Sequence, residues 1–295
     1  MAARWLKVLA AAPLMLSALT AAQPAQALVP YVAVPAERNL EGAGLGIAQA
    51  AARLLRIGQA DDAARLAALT VQLIPDDPRG WVLLAEAQLR SNQNEEAAVS
   101  LAKARELDPK NAGILFAQGS LALKDSRPSE AADLIREGLK LDGKNAGAYF
   151  DLGNAYILMG KSGDALGAFE RASKLRSDFW EAINNQALVL YEQNKDAEAI
   201  KRWRRVLEIK PAAEPNLALA AALNSKTPGN PESLELAAKA LAEEPNYVLD
   251  TWQKEQLWGP KLRSAAARLF TDPALKADVE RAHANAGGND DLGGE

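Results

Sequence analysis

The chain has 295 residues, a formal net charge of −4 and no cysteine. A mildly acidic chain of mixed charge lacks the basic face of a nucleic-acid-binding protein, and the absence of cysteine excludes disulfides and a thiol nucleophile. Apolar residues make up 48% of the chain but aromatic residues only 5%, so most of them are small, as is typical of closely packed helices.

The N-terminus has the features of an export signal. A short basic region precedes an apolar run from Val8 to Ala22, which is too short to span a bilayer comfortably. Ala25-Gln26-Ala27 then has the small-x-small form of a signal-peptidase site. We therefore predict a signal peptide over residues 1–27 and export to the periplasm or the thylakoid lumen. The alternative is an uncleaved segment that anchors the protein in a membrane.

The next stretch, residues 28–41, carries Pro30 and Pro35 in an apolar context. Proline lacks a backbone N–H and disfavours helical geometry in the residue before it. We expect an extended leader here, and we expect the first helical unit to begin at residue 42.

Residues 146–179 contain the strongest pattern of the chain. Apolar residues recur at helical spacing in two runs, and Gly160-Lys161-Ser162-Gly163 separates the runs. This predicts two amphipathic helices joined by a tight turn, with small residues where the helices approach and Phe169 between them. The residues that form the pattern are Tyr149, Leu152, Gly153, Tyr156, Ala165, Phe169 and Ala172.

This spacing resembles the tetratricopeptide repeat (TPR) family, whose period is 34 residues. A proline commonly closes each unit in that family. That position is held in turn by Pro75, Pro109, Gly143, Ser177, Pro211 and Pro245, each 34 residues after the one before. The resemblance implies an all-α, right-handed α-solenoid of about six helix-turn-helix repeats. The predicted repeats are 42–77, 78–111, 112–145, 146–179, 180–213 and 214–245.

The period ends after Pro245. Apolar residues continue to about residue 270, and a solenoid needs a terminal cap to stay soluble. We therefore predict a helical cap over residues 246–286 that covers the last repeat, and a disordered tail over residues 287–295. The export signal, the repeats and Glu255-Gln256-Leu257-Trp258-Gly259 also resemble TPR proteins of cyanobacteria, some of which assist photosystem or pigment-protein assembly.

The sequence carries no pattern typical of catalysis. Its one histidine is His283, near the C-terminus. The sequence lacks a phosphate-binding glycine loop, a Gly-x-Ser-x-Gly elbow and the oxygen-ligand spacing of a calcium loop. We therefore predict a non-enzymatic protein with no catalytic residue, no metal site and no cofactor.

The family resemblance implies that the first helix of each repeat lines a concave groove that binds a peptide or protein partner. Aromatic side chains would give this groove an apolar floor, and asparagine amides could bond to a partner's main chain. The candidate residues are Arg79, Leu89, Arg90, Phe116, Leu123, Phe150, Asn154, Ile157, Asn184, Asn185 and Tyr191. Trp203, by contrast, is expected between the helices of its own repeat.

Two functions remain open at the level of sequence. The first is a scaffold that binds a protein or peptide partner, including an assembly factor for a membrane complex. The alternative is a self-associating solenoid that serves as an oligomer building block. Neither involves nucleic acid or metal, and membrane contact is expected only if the N-terminal segment is uncleaved.

Overall fold

A computed structural model describes residues 37–287. The predicted signal peptide, the leader up to residue 36 and tail residues 288–295 lie outside the described residues. The α-helices are α1 (Glu37–Arg56), α2 (Ala60–Leu73), α3 (Pro78–Arg90), α4 (Asn94–Leu107), α5 (Ala112–Lys124), α6 (Pro128–Leu141), α7 (Ala146–Leu158), α8 (Ser162–Leu175), α9 (Trp180–Glu192), α10 (Asp196–Ile209), α11 (Ala213–Lys226), α12 (Pro231–Glu243), α13 (Asp250–Glu255), α14 (Pro260–Leu269) and α15 (Lys276–Asn285).

The helices from α1 to α12 pack as consecutive antiparallel pairs, and each pair packs on the next. This confirms the predicted all-α solenoid. One boundary differs from the prediction, because α1 begins at Glu37. The prediction of an extended leader is therefore wrong for residues 37–41. Pro35 lies before the helix, so the two prolines do not prevent the helix from starting at that point.

A left-handed residue ends the first helix of each of the first five pairs. Gly58, Asn92, Ser126, Gly160 and Asn194 have φ between 57° and 82°, and they occur at the 34-residue period. The backbone N–H of the following residue bonds back across the helix end, as from Lys161 to the Tyr156 carbonyl at 2.8 Å. This bond closes the terminal turn and directs the chain into the second helix.

In the third and fourth pairs, a glycine on the first helix admits a large side chain from the second. A Cβ on Gly153 would overlap the ring of Phe169, and a Cβ on Gly119 would lie 2.5 Å from Ile135. Phe169 and Ala165 are both 0% exposed. The predicted close approach at Gly153 and Ala165 is therefore confirmed, as is the core position of Trp203, which is also 0% exposed.

The chain continues past the sixth pair in a segment with two 3-10 turns and three short α-helices. α15 packs on α12 and on the 3-10 turn Pro245–Val248, so it covers the end of the solenoid. α14 packs on α11 and also on α9, which belongs to the fifth pair. The C-terminal segment therefore packs on the fifth pair as well as on the sixth. None of the helices in the described part of the chain is long and apolar enough to cross a membrane.

Candidate functional site

The first helices of successive pairs lie side by side, and α1, α3, α5 and α7 contact one another in turn. We call the surface formed by α3, α5, α7, α9 and α11 the first-helix face. All the groove residues predicted from the sequence lie on these helices. Their exposure and contacts divide them into an open group, a group packed between helices and a group covered by the C-terminal segment.

The open group lies on α3, α5, α7 and the near side of α9. Its members are exposed or half-buried: Arg79, Leu89, Arg90, Leu123, Asn154, Ile157 and Asn185. Leu158, beside Ile157, is 50% exposed. This group gives the face apolar side chains with amides among them, the mixture that the sequence predicted for a groove.

Two of the open cations also have structural partners. Arg79 forms an ion pair of 2.6 Å with Asp77, the residue that caps α3, and its hydrogen bonds lower the pKa of Asp77. Arg90 donates to the Leu55 carbonyl at 3.2 Å and pairs with Glu86 at 2.7 Å. These contacts hold the helix starts and ends in place, so neither cation is wholly available to a partner.

Phe116 and Phe150 do not form the open apolar floor that the sequence analysis predicted for the groove. The ring of Phe116 packs on α6, where a Cβ on Gly138 would lie 2.6 Å from it. The ring of Phe150 lies 5.7 Å from that of Phe169 and 5.1 Å from that of Phe179. Both residues are half-buried with their rings between helices. That prediction is wrong because the second helices leave space at these positions, as Gly138 does, and a large ring fills it.

A line of polar side chains crosses the first-helix face. Ser120 donates to Asp151 at 2.6 Å, which links α5 to α7. Asn185 donates to Asn154 at 3.1 Å, which links α9 to α7. Asn184 accepts from the Trp203 indole at 3.1 Å, and it is buried at 1% exposure. Burial raises the pKa of Asp151, and the Ser120 hydrogen bond opposes the rise.

The C-terminal segment covers the far part of the face. The Trp258 indole N–H donates to Glu214 of α11 at 3.1 Å, and Trp258 is only 3% exposed. The Lys261 ammonium lies 4.1 Å from the centre of the Tyr191 ring and donates to the Tyr191 carbonyl at 2.9 Å. It also pairs with Asp196. Tyr191 is therefore 1% exposed, and the prediction that Tyr191 and Asn184 line an open groove is wrong.

Glu192 holds the N-terminus of α14 in this position. Its carboxylate accepts the backbone N–H of Lys261 at 3.1 Å and that of Leu262 at 2.9 Å. These are free donors at the start of a helix, where negative charge is also favoured by the helix dipole. Gly259 precedes the helix and lies so close to Glu192 that a Cβ would overlap its side chain. The side chain of Glu192, which belongs to the first-helix face, thus caps the N-terminus of α14.

A pocket of about 100 Å³ lies where the covered and open parts of the face meet. We call it the junction pocket. Its apolar lining comes from the repeats and from the loop before α14, and Asn185 and Glu192 lie at its edge. The apolar lining residues are Ile157, Phe169, Leu188, Val189 and Leu257. The pocket has room for one apolar side chain beside the polar line of α7 and α9.

The sequence analysis missed Glu214, Asp151 and the covering role of Lys261. One feature of the sequence did indicate that α11 is covered. α11 carries alanine and leucine on all sides, and ten of its residues are buried, as expected when a second element covers its outer face. In the described residues, no group of three or more histidine, aspartate or glutamate side chains is placed to hold a metal ion.

Comparison with known proteins agrees with this architecture. The family model of the tetratricopeptide repeat matches residues 45–112, 84–146, 116–158 and 150–214. No curated protein sequence matches the chain.

Solved structures share the fold at low sequence identity. PilF of Pseudomonas aeruginosa is 18% identical, with a TM-score of 0.61 over 78% of this chain and 99% of that one. PilW, a type IV pilus biogenesis factor, is 18% identical, with a TM-score of 0.59 over 75% and 97%. YrrB, a TPR protein with an unusual peptide-binding site, is 21% identical, with a TM-score of 0.51 over 65% and 99%. At these identities the likeness concerns the fold alone.

Proposed function

The chain belongs to the tetratricopeptide-repeat family, and from that premise we propose that it is a non-enzymatic scaffold that binds a protein partner on its first-helix face. The partner occupies the part formed by α3, α5 and α7, up to the junction pocket. One observation carries the proposal: the chain's own α14 lies on the same face, across α9 and α11. The part of the face formed by α9 and α11 therefore holds a helix, and the proposal extends this mode of binding to the neighbouring open part.

The contacts of α14 indicate what a partner segment needs. α14 is held by a carboxylate at its N-terminus, by a cation over a tyrosine ring and by a buried tryptophan. The open part of the face offers other polar and apolar groups: the amides of Asn154 and Asn185, and the apolar Leu123, Ile157 and Leu158. A partner segment with an apolar side chain for the junction pocket fits this arrangement.

A role in assembly of a membrane-associated complex is the finer form of this proposal. It is supported by the export signal predicted over residues 1–27 and by the fold shared with PilW, a type IV pilus biogenesis factor. The fold shared with YrrB, a TPR protein with a peptide-binding site, supports the peptide-binding form. In this proposal the mature protein acts after export, in the periplasm or the thylakoid lumen.

The test is photo-cross-linking in an extract of the source organism. A photoreactive residue replaces Leu158, which is 50% exposed on the first-helix face, or Val99, which is 68% exposed on the second helix α4. We expect a discrete adduct from position 158 and none from position 99, with mass spectrometry to identify the partner. The proposal fails if position 158 yields no adduct, or if both positions give the same products.

Self-association is a second candidate, favoured by the apolar side chains at the N-terminal end of the described solenoid. Leu45, Ile57 and Leu69 of the first pair are 38%, 70% and 45% exposed. Stacking of these ends would bury them in a dimer. Sedimentation equilibrium of the parent and of Ile57→Ser with Leu69→Ser tests this candidate, which requires a dimer that the double variant loses. A parent that is monomeric at all concentrations rules it out.

A further inference from the structure

The opposite side of the solenoid carries a cleft between α8 and α10, with α9 at its floor. We call it the second-helix cleft. Its volume is about 830 Å³. The equivalent cleft between α4 and α6 is smaller, at about 180 Å³. Another cleft on this side, between α2 and the end of α3, has about 490 Å³. The second-helix cleft is therefore a local feature and does not recur with every repeat.

The charge of this cleft is opposite to that of the chain. Its lining includes the cations Lys174, Lys201, Arg202, Arg204 and Arg205 but only the carboxylates Glu170 and Glu208, whereas the chain as a whole has a net charge of −4. The cleft between α2 and the end of α3 has the reverse balance, with Asp61 and Asp62 against Arg65. Cations thus outnumber carboxylates in the lining of the second-helix cleft.

The three arginines are engaged by neighbouring carboxylates. Arg202 lies 3.8 Å from Glu170, Arg205 lies 2.8 Å from Glu208, and Arg204 forms a two-point pair with Glu232 at 2.6 and 2.9 Å.

The two lysines of the cleft and one arginine nitrogen lack a carboxylate partner of this kind. Within the described residues, neither Lys174 nor Lys201 has a carboxylate within 4.0 Å. The Nε of Arg202 also has no acceptor, but it is buried and is not open to a ligand in the cleft. The cleft therefore has an excess of donors on both of its walls.

The floor of the cleft is partly apolar and rigid. Ile183 and Ile200 contribute the apolar surface. Gln186 is fixed beneath them, because its amide donates to the Phe169 carbonyl at 3.1 Å and to the Ser173 hydroxyl at 2.8 Å. A ligand that fits must bring negative charge to the walls and apolar groups to the floor.

We propose that the second-helix cleft is a second interaction site, which binds an acidic segment of a partner protein. The segment's carboxylates bond to Lys174 and Lys201, and an apolar side chain of the segment packs on Ile183 and Ile200. A peptide fits better than a polyphosphate chain or a lipid surface. A continuous run of phosphates would meet Glu170 and Glu208 and gain nothing from the apolar floor.

The test uses a short fluorescent peptide of aspartate, glutamate and leucine, with the full chain and anisotropy at low salt. We expect binding that weakens as salt is added. Lys174→Glu with Lys201→Glu should weaken it at least about tenfold, because each reversal replaces an attraction with a repulsion. Lys110→Glu with Lys140→Glu, which reverses the same charge at exposed positions elsewhere, should leave it unchanged.

Zero-length carbodiimide coupling locates the peptide independently, because it forms an amide only where a lysine touches a peptide carboxylate. We expect coupling at Lys174 and Lys201 in the parent chain. Lys174→Gln with Lys201→Gln, a milder change, covers the case in which the reversed chain loses its helical circular dichroism.

The proposal is overturned if the peptide does not bind, if both reversal pairs weaken binding equally, or if coupling occurs at other lysines. It is also overturned if a single-stranded oligonucleotide or an anionic lipid vesicle displaces the peptide at lower charge concentration. The cross-link from position 158 reports on the first-helix face alone, so the two sites succeed or fail separately.

Discussion

Some side chains of this solenoid pack between its helices, and others are exposed and available to a partner. The rings of Phe116 and Phe150 pack between helices. Their position five residues into a first helix resembled a groove position. The space left by the neighbouring helices decides their role. Gly138 leaves room for the ring of Phe116, and the rings of Phe169 and Phe179 lie against the ring of Phe150.

Phe150→Ala should therefore lower stability. Loss of a fully buried phenylalanine ring costs about 3 kcal/mol or more of unfolding free energy. Phe150 is half-buried but contacts two other rings, so we expect a loss of about 2 kcal/mol. Leu158→Ala is the matched control on the same helix, since Leu158 is 50% exposed, and should change stability by less than about 0.5 kcal/mol. Urea unfolding followed by circular dichroism measures both. Equal midpoints for Phe150→Ala and the parent would show that the ring does not pack between the helices.

The buried carboxylate of Glu214 gives a prediction about pH. Burial raises its pKa, and hydrogen bonds from Trp258 and Asn184 oppose the rise. The folded state therefore holds this proton more tightly than the unfolded state. The stability that Glu214 contributes is present below its ordinary pKa of 4.5 and is lost as the pH rises through the raised value.

Glu214→Gln keeps an acceptor for Trp258 but cannot ionise. We expect its Tm to equal that of the parent at about pH 4 and to exceed it increasingly toward about pH 8. For Glu232→Gln the difference in Tm should have the opposite sign, because the pair with Arg204 lowers the pKa of Glu232. The parent should therefore be the more stable of the two at neutral pH. A Tm difference for Glu214→Gln that stays constant across this range would contradict the account.

At the scale of elements, the C-terminal helix α14 limits the candidate site, because it covers the part of the first-helix face formed by α9 and α11. The contact depends on a short distance between Gly259 and Glu192, whose carboxylate is tied to the first N–H groups of α14. A Cβ at position 259 would force Glu192 away and leave those donors unbonded.

Gly259→Ala should release α14 from the face. We expect faster amide exchange in residues 260–269 and a change in the fluorescence of Trp258, because its environment becomes more polar. Gly167→Ala is the control, since a Cβ there meets nothing within 4 Å, and it should stabilise its helix by up to about 1 kcal/mol. Unaltered exchange in α14 for Gly259→Ala would mean that the Glu192 contact does not hold the helix.

At the scale of the whole molecule, the 34-residue period made the fold predictable from the sequence, but it did not make the candidate site predictable. Repeated small residues such as Gly153 and the left-handed turn at Gly160 recur with the period, so the pairs and their order could be read from the sequence. The contact of Lys261 with Tyr191 joins residues 70 positions apart and follows no period. Family positions predicted an open groove at Tyr191, and only the path of the C-terminal segment reveals that it is covered.

Export remains a prediction from the N-terminal residues. Cleavage after Ala27 should leave Leu28 as the first residue of the mature protein, because the apolar run before it is too short to span a bilayer comfortably. N-terminal sequencing of the protein from its source organism measures this. A mature chain that begins at Met1 or Ala2 would favour the membrane anchor.

Hydrogen–deuterium exchange of the full chain, alone and with the partner captured through position 158, tests the central claim most directly. If the partner binds where α14 leaves the first-helix face open, protection should appear in α3, α5 and α7, and exchange in α14 should not change. Protection confined to second helices, or faster exchange in α14 as the partner displaces it, would contradict the claim that the face is shared between the chain's own helix and a partner.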